Sequence, residues 1–265
     1  MTLRSKIVNL QRKILGLNSI VEHLQQLESL TQGNLNNSEN KWVLKNIKNT
    51  KYLLDKKSMV DATIIKQGHW EKESLDLLQR SISKFNKDGS LIFLDIGSYF
   101  GLYALQMAET KLFQRIICFE SDPFNFVQLK SNLMINDLLE KVETHQVFLS
   151  DREEELSVIP SVKLSENRGM ASYVINDELE GDKLLAHTLD SRLSIQNESI
   201  VVKIDVEDHE LQVLKGAQKL IESNRILLLI EHRKLDSTVK KEMLEFGFKL
   251  LESVETDHNY LYVKE

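Results

Sequence analysis

The chain has 265 residues and a formal net charge of −6, and its length suffices for one catalytic domain with an appendage. The acidic balance argues against nucleic acid as a partner, because phosphate binding depends on an excess of lysine and arginine. The single cysteine, Cys118, indicates a reducing compartment, and the absence of a signal-peptide pattern and of a long apolar run predicts a cytoplasmic protein without a transmembrane segment.

The spacing of apolar residues within 1–30 predicts an amphipathic helix with a heptad repeat. Two apolar sets interleave at spacings of three and four residues, namely Leu3, Leu10, Leu17 and Leu24 with Ile7, Ile14 and Val21. Leucine at position d with β-branched residues at position a favours a parallel two-stranded coiled coil. We therefore predict a homodimer through residues 3–24, which light scattering would reveal. A helix folded back on its own domain and a helix bound to a membrane surface are the alternatives.

A polar, asparagine-rich linker is predicted at residues 31–40, before a catalytic domain that spans 41–265. At the start of that domain, residues 52–54 and 59–65 are interpreted as two short strands around a turn. Apolar residues at helical spacing then predict a helix that begins near Trp70 and covers one face of the sheet. Trp70 itself is interpreted as a packing residue.

A glycine turn between a buried strand and a helix is predicted in the segment LIFLDIGSYFGLYAL, residues 91–105. Asp95 ends the strand, and Gly97 and Gly101 frame the turn. Glycines let backbone N–H groups approach a ligand, and the following helix begins at the turn. The segment is not a P-loop, because no Gly-Lys-[Ser/Thr] follows. It also lacks the three-glycine dinucleotide spacing, because Tyr99 stands at the middle position.

A second buried strand, residues 115–120, ends in Glu120. In dinucleotide folds an acid about 20 residues past the glycines accepts hydrogen bonds from the ribose hydroxyls. Ser121-Asp122-Pro123 then has the pattern of a helix start. We assign eight residues in the turn and at the ends of the second and third strands to cofactor binding: Asp95, Gly97, Ser98, Gly101, Glu120, Ser121, Phe148 and Ser150.

The remaining elements alternate as in an α/β fold. Strands are predicted at 142–149, 200–206 and 225–231, helices at 124–135, 207–223 and 237–246, and a closing antiparallel hairpin at 248–254 with 260–264. Short extended pieces at 155–159, 171–175 and 184–188 precede the fourth strand. Such insertions often form a lid or substrate wall in α/β enzymes.

Acids end four of the five predicted strands, at the edge where ligands bind in open α/β sheets: Asp95, Glu120, Asp205 and Glu231. So many acids suit a cationic ligand that bears a ribose, which favours S-adenosylmethionine over NAD. Lys203 shares a strand face with Asp205, and Asp205 or Glu231 would neutralise it. A purely structural ion pair is the alternative.

Five segments resemble the FkbM-type S-adenosylmethionine-dependent methyltransferases, over about residues 68–232. In chain order they are DIGSYFGLYAL, CFESDPFNFVQLKSNL, HTLDSRL, VVKIDVEDHELQVLKGA and LLLIEH. The resemblance implies a Rossmann-like seven-stranded class I methyltransferase sheet and O-methylation of a sugar, a glycan or a glycosylated natural product. Two departures stand out. The family usually has Gly-Ala-Asn-x-Gly where this chain has Gly97-Ser98-Tyr99-Phe100-Gly101, and glycine where this chain has Asp208.

Methyl transfer to a hydroxyl needs alignment, exclusion of water and a base for the hydroxyl proton. Asp205 and His232 are the candidate bases, Glu231 would orient one of them, and Lys203 would keep Asp205 ionised. His209 is a weaker candidate, because it should lie in the first turn of a helix.

Two other functions stay open beside this metal-free enzyme, to which no metal ligand is assigned. In the first, Asp205 and Glu231 ligate Mg²⁺, which lowers the pKa of the acceptor hydroxyl. In the second, the domain binds the cofactor without turnover and serves as an oligomeric scaffold.

Overall fold

The computed structural model describes residues 41–86, 89–160, 173–175, 182–233 and 237–265. The predicted coiled coil at 3–24 and the linker at 31–40 lie outside the described residues. Within the described part of the chain, the helices lack the length and apolar character needed to cross a bilayer.

The elements alternate along the chain as in an α/β protein. The strands are β1 (Trp42–Ile47), β2 (Thr50–Asp55), β3 (Leu91–Ile96), β4 (Phe113–Glu120), β5 (Val142–Gln146), β6 (Phe148–Leu149), β7 (Glu154–Pro160), β8 (Tyr173–Ile175), β9 (Asp182–His187), β10 (Ser199–Ile204), β11 (Arg225–Glu231), β12 (Lys249–Val254) and β13 (Asn259–Lys264). The helices are α1 (Met59–Gln67), α2 (Lys72–Phe85), α3 (Leu102–Thr110), α4 (Pro123–Ile135), α5 (Leu189–Arg192), α6 (Glu210–Lys215), α7 (Gln218–Ser223) and α8 (Ser237–Glu245), with a 3₁₀ turn at Glu255–Asp257.

Seven strands form the central sheet, in the order β12-β13-β11-β10-β3-β4-β5. The strands from β11 to β5 run parallel, and β13 runs antiparallel to both of its neighbours, β11 and β12. Every residue of β3 and β10 is buried, which explains their continuous apolar runs and central position. The predicted α/β fold with an antiparallel last strand is confirmed. The order in which the chain adds strands to the sheet reverses at the neighbouring parallel strands β3 and β10. The topological switch point therefore lies between these two strands.

Helices cover both faces of this sheet, and the sheet separates the hydrophobic core into two layers. On one face, Leu78 and Ile82 of α2 pack in the same cluster as Phe93 of β3. On the other face, Leu214 of α6 and Leu220 of α7 pack with the opposite side chains of β3 and β10. Because helices cover both faces of the sheet, the site forms at the carboxyl ends of the central strands.

Residues 59–65 form helix α1, and the strand prediction for this segment is wrong. β-branched residues such as Thr63 favour a strand. Burial nevertheless follows helical spacing, with Val60, Asp61 and Ile64 buried. The other short strand predicted in this region is confirmed by β2, which pairs antiparallel with β1.

Two predicted elements are divided. The strand at 142–149 splits into β5 of the central sheet and β6 of a second sheet, whose order is β6-β9-β7-β8. The helix at 207–223 starts only at α6, because Glu207 adopts a left-handed conformation with a φ of 55°. It is interrupted at Gly216, where an added Cβ would lie 2.0 Å from the carbonyl oxygen of Ser150.

Candidate active site

A cavity of about 580 Å³ lies at the carboxyl ends of β3, β4, β10 and β11, at the switch point of the sheet. Its wall includes nine of the predicted site residues: Asp95, Gly97, Ser98, Glu120, Ser121, Phe148, Lys203, Asp205 and Glu231. Three further predicted residues that the structure describes lie off this wall: Gly101, Ser150 and His232. Most of the residues predicted for the cofactor and for catalysis therefore share one cavity.

Gly97 brings the glycine turn into direct contact with the end of β10. Its φ is +79°, and an added Cβ would lie 1.7 Å from the carbonyl oxygen of Asp205. In addition, the Asp205 amide donates a hydrogen bond to the carbonyl of Ile96 at 3.0 Å. Glycine is needed here for both conformation and space, and the contact fixes the backbone of Asp205 relative to the turn.

Ser98 and Gly101 shape the turn from within. The Ser98 hydroxyl donates to the carbonyl of Asp95 at 2.7 Å, and the Gly101 amide donates to the carbonyl of Ser98 at 2.8 Å. Gly101 has a φ of +90°, and an added Cβ would lie 2.7 Å from the Leu129 side chain. Gly101 therefore supports the cavity without lining it.

Glu120 is a buried carboxylate oriented by backbone amides. Its Oε2 accepts a hydrogen bond from the Tyr99 amide at 2.7 Å, and its Oε1 accepts one from the Asp122 amide at 2.8 Å. Burial raises the pKa of Glu120 to about 8, and the nearby Asp122 acts in the same direction. Each carboxylate oxygen has a second lone pair, so Glu120 retains the capacity to accept from a pair of ligand hydroxyls at the cavity wall.

Asp95 lies beneath the turn and is similarly buried. Its Oδ2 accepts a hydrogen bond from the Ala104 amide at 3.0 Å, which ties the end of β3 to the first turn of α3. Burial raises the pKa of Asp95 to about 7, while the positive charge of Lys203 acts in the opposite direction. A cation bound in the cavity would favour the ionised form of this acid.

Three carboxylates meet around a buried lysine at the ends of β10 and β11. Oxygens of Glu71, Asp205 and Glu231 lie within 4.8 Å of one another. Lys203 Nζ lies 3.5 Å from Asp205 Oδ2 and 3.1 Å from Asn259 Oδ1. Burial, the charge of Asp205 and a hydrogen bond with it raise the pKa of Glu231 well above its ordinary range. Burial opposes the charge on Lys203, but Asp205 and Glu71 outweigh this effect and raise its pKa.

Glu71 is the residue of this carboxylate cluster that sequence reasoning missed. It precedes α2 in a left-handed conformation, with a φ of 43°. Its carboxylate accepts hydrogen bonds from Trp70 Nε1 at 3.0 Å, Tyr103 Oη at 2.8 Å and Asn259 Nδ2 at 3.2 Å. No strand end or motif marks it in the sequence. The neighbouring Trp70 packs against the core, as predicted, and also lines the cavity.

Of the two histidines near the strand ends, the structure places His209, and not His232, on the cavity wall. His232 is buried off the cavity wall, and burial lowers its pKa to about 4. His209, the weaker candidate in the sequence, lines the cavity just before α6. Its Nε2 lies 3.0 Å from the Ser150 hydroxyl, and its ring lies 5.1 Å from that of Phe148. Ser150 therefore orients His209 instead of facing the cavity.

Two strained acids and an arginine border the cavity. Glu207 and Asp208 have φ values of 55° and 71°, a conformation that L-residues rarely adopt. Arg233, after β11, forms an ion pair with Glu207 and lies 3.6 Å from Asp208 Oδ2. These contacts connect the chain segments that follow β10 and β11.

Comparison with known proteins identifies the family of this chain. A family model described as Methyltransferase FkbM domain matches residues 95–262, more than half of the chain. Among solved structures, methyltransferase FkbM from Methylobacillus flagellatus aligns with a TM-score of 0.45 and 17% identity, covering 66% of this chain and 44% of that one. A tRNA (uracil-54, C5)-methyltransferase of Pyrococcus abyssi aligns with a TM-score of 0.45 and 14% identity, covering 84% and 43%.

This chain thus spans less than half the length of those two structures. A human methyltransferase 10 domain containing protein aligns with a TM-score of 0.46 and 12% identity, covering 74% of this chain and 81% of that one. No curated protein gives a significant match. On the extent of the family match, the chain belongs to the FkbM methyltransferase family.

Proposed function

We propose that the protein transfers a methyl group from S-adenosylmethionine to a hydroxyl of a sugar, a glycan or a glycosylated natural product. The observation that carries this proposal is the position of Asp205. This residue directly follows β10 on the cavity wall, its carboxylate is paired with Lys203, and its backbone contacts the glycine turn. A base held in this way meets the requirement for deprotonating a hydroxyl beside a bound cofactor.

The residues present fit the cofactor. Glu120 has free acceptor capacity for the two ribose hydroxyls, and its orientation is fixed by backbone amides. Asp95 and the carboxylate cluster give the wall a negative character that suits a sulfonium cation. Phe148, also on the wall, offers an apolar surface for the adenine ring.

In the proposed reaction, the cofactor supplies an electrophilic methyl group whose bond to sulfur breaks as the new bond to the acceptor oxygen forms. Asp205 accepts the proton of the acceptor hydroxyl. Lys203 Nζ, 3.5 Å from Asp205 Oδ2, donates a hydrogen bond to the carboxylate and helps to hold it in position. Glu231 forms a side-chain hydrogen bond with Asp205 and so orients the Asp205 carboxylate. The arrangement contributes through positioning and general base catalysis, with no covalent intermediate on the protein.

The composition of the wall supports a polyhydroxylated acceptor. Glu71, Asp205 and Glu231 are clustered hydrogen-bond acceptors for adjacent hydroxyl groups. Trp70 adds an aromatic ring to the same wall, and its indole N–H is already engaged by Glu71. A few convergent polar groups beside an aromatic surface are typical of sites for small polar ligands such as sugars.

A divalent-metal-assisted O-methyltransferase is the second candidate, and the carboxylate cluster favours it. Mg²⁺ prefers oxygen ligands, and Glu71, Asp205 and Glu231 can each offer one. Lys203 counts against a metal, because its ammonium already lies beside Asp205 and would repel a second cation. The metal-free reaction is therefore our first choice.

The test is transfer of a labelled methyl group from S-adenosylmethionine to a panel of free sugars, glycans and glycosides. Asp205→Asn nearly preserves shape, so we expect cofactor affinity to stay within about twofold while turnover falls about 10²–10⁴-fold. Asp76→Asn is the matched control, because this acid is exposed on α2, pairs with Lys72 and lies off the cavity wall, and we expect it to keep turnover near wild type.

Three results would decide against the proposal. Normal turnover by Asp205→Asn would make this carboxylate structural. Failure of the wild-type protein to methylate any sugar, glycan or glycoside in the panel would contradict the substrate class. Loss of wild-type activity on chelation, with recovery in Mg²⁺, would favour the metal-assisted reaction.

A further inference from the structure

A buried polar network lies behind the glycine turn, between the amino-terminal elements and α4. Its central side chains, Asp61 of α1 and Gln128 and Asn132 of α4, are all 0% exposed. Asp61 Oδ2 accepts hydrogen bonds from the Asp55 amide and from Gln128 Nε2, each at 2.7 Å. Buried networks of this kind fix one arrangement of the groups they join, because an unmet partner at zero exposure is costly.

Tyr99 connects this network to the cofactor site. Its hydroxyl lies 2.7 Å from Asp61 Oδ1 and 2.6 Å from the Ser58 hydroxyl, while its backbone amide donates to Glu120 Oε2 at 2.7 Å. Between these two ends, Tyr99 has a φ of 49°, a strained conformation for a residue with a side chain. One residue therefore links α1 to the carboxylate proposed to bind the ribose.

A second connection reaches the next residue of the turn. Asn132 Nδ2 donates to the carbonyl of Phe100 at 2.9 Å, and its Oδ1 accepts from the Leu53 amide of β2 at 2.6 Å. The Tyr99 ring also packs edge-on against that of Phe100, with ring centroids 4.9 Å apart. The turn is thus held on its outer side by β2, α1 and α4 together.

We propose that Tyr99 is a positioning residue for the cofactor, which acts by holding the left-handed turn so that its own amide orients the Glu120 carboxylate toward the ribose. Ser58 and Asp61 anchor its hydroxyl, so residues 41–67, which precede the region matched by the family model, contribute to cofactor affinity. Without the hydroxyl anchor, the strained backbone relaxes and Glu120 loses the Tyr99 amide, one of the backbone donors that orient it.

The test is calorimetric titration of the full chain with S-adenosylhomocysteine, which needs no knowledge of the acceptor. Tyr99→Phe removes only the hydroxyl, and we expect binding to weaken about five- to tenfold, the equivalent of one hydrogen bond. Tyr260→Phe is the matched control. The Tyr260 hydroxyl donates to Glu255 Oε2 at 3.3 Å, off the cavity wall, and its loss should leave affinity within about twofold.

A double-mutant cycle separates positioning from a general loss of structure. If Tyr99 acts through Glu120, Tyr99→Phe should cost less than about twofold in a Glu120→Ala background, because the group that it positions is gone. Fully multiplicative losses, or wild-type affinity for Tyr99→Phe, would overturn the proposal. If Tyr99→Phe fails to fold, Ser58→Ala removes one anchor alone, and unchanged affinity in that variant would also overturn it.

Discussion

At the scale of single residues, two carboxyl groups of the site are buried, whereas acidic side chains in proteins are usually exposed. Asp95 and Glu120 are each less than 10% exposed, and burial raises their pKa values to about 7 and about 8. Each is nevertheless hydrogen-bonded to backbone amides. The ligand-free protein therefore holds protons near neutral pH that a bound cation would help to displace.

These shifts predict that the ligand-free protein loses stability as the pH rises. An acid whose folded pKa exceeds its unfolded value contributes stability that is fully present below the unfolded pKa and is lost as the pH rises through the folded pKa. For Glu120 this window runs from an ordinary value of 4.5 to about 8. Between about pH 7 and pH 8.5, above the range in which histidines titrate, we expect the free energy of unfolding to fall by about 1 kcal/mol.

Urea unfolding at the two pH values measures this change. Glu120→Gln removes the titrating group, so the fall in its free energy of unfolding should be smaller than in the wild type. An equal fall in the variant, or stability that rises with pH in the wild type, would contradict the assignment of the buried proton to Glu120.

At the scale of elements, the contact between the glycine turn and the end of β10 joins the two halves of the site. Gly97 and the carbonyl of Asp205 are too close for any side chain at position 97. The contact lies at the boundary between β3 and β10, where the order of strands reverses. This backbone contact therefore fixes the position of the glycine turn relative to Asp205, the proposed base.

Gly97→Ala should disrupt this contact, and Gly247→Ala is a matched control. Both glycines are left-handed, with φ values of +79° and +82°, but an added Cβ at Gly247 would meet only the Lys264 side chain, at 3.6 Å. We expect Gly247→Ala to lose about 1 kcal/mol from backbone strain and Gly97→Ala about 1–3 kcal/mol more from the clash. Urea unfolding measures both losses, and equal losses would show that the close approach has no energetic effect.

Elements with an unambiguous pattern were predictable from the sequence. The continuous apolar runs of β3, β4, β10 and β11 could only be buried strands, and the acids at their ends converge because parallel strands end at the same edge. Helix α1 was not predictable in this way, because its β-branched residues favour a strand and tertiary burial selects the helix. The late start of α6 depends on strained residues at 207 and 208, which propensity does not reveal.

At the scale of the whole molecule, the site is assembled from distant parts of the chain. Asn259 of β13 hydrogen-bonds to Glu71, 188 residues earlier, and to Lys203 of β10. Contacts at this separation depend on how the sheet closes with its antiparallel strands, so the sequence alone could not place Glu71 at the site. The position of His232 off the wall has the same origin, because its amide bonds to the carbonyl of His258 beside β13.

We predict that this cavity holds S-adenosylmethionine with its sulfur toward Asp205. A crystal structure with S-adenosylhomocysteine tests it most directly. We predict ribose hydroxyls about 2.5–3.0 Å from the Glu120 carboxylate. We also predict a sulfur within about 7 Å of Asp205, close enough for an acceptor oxygen to lie between them. A ribose bound away from Glu120, or a sulfur facing away from Asp205, would contradict the account.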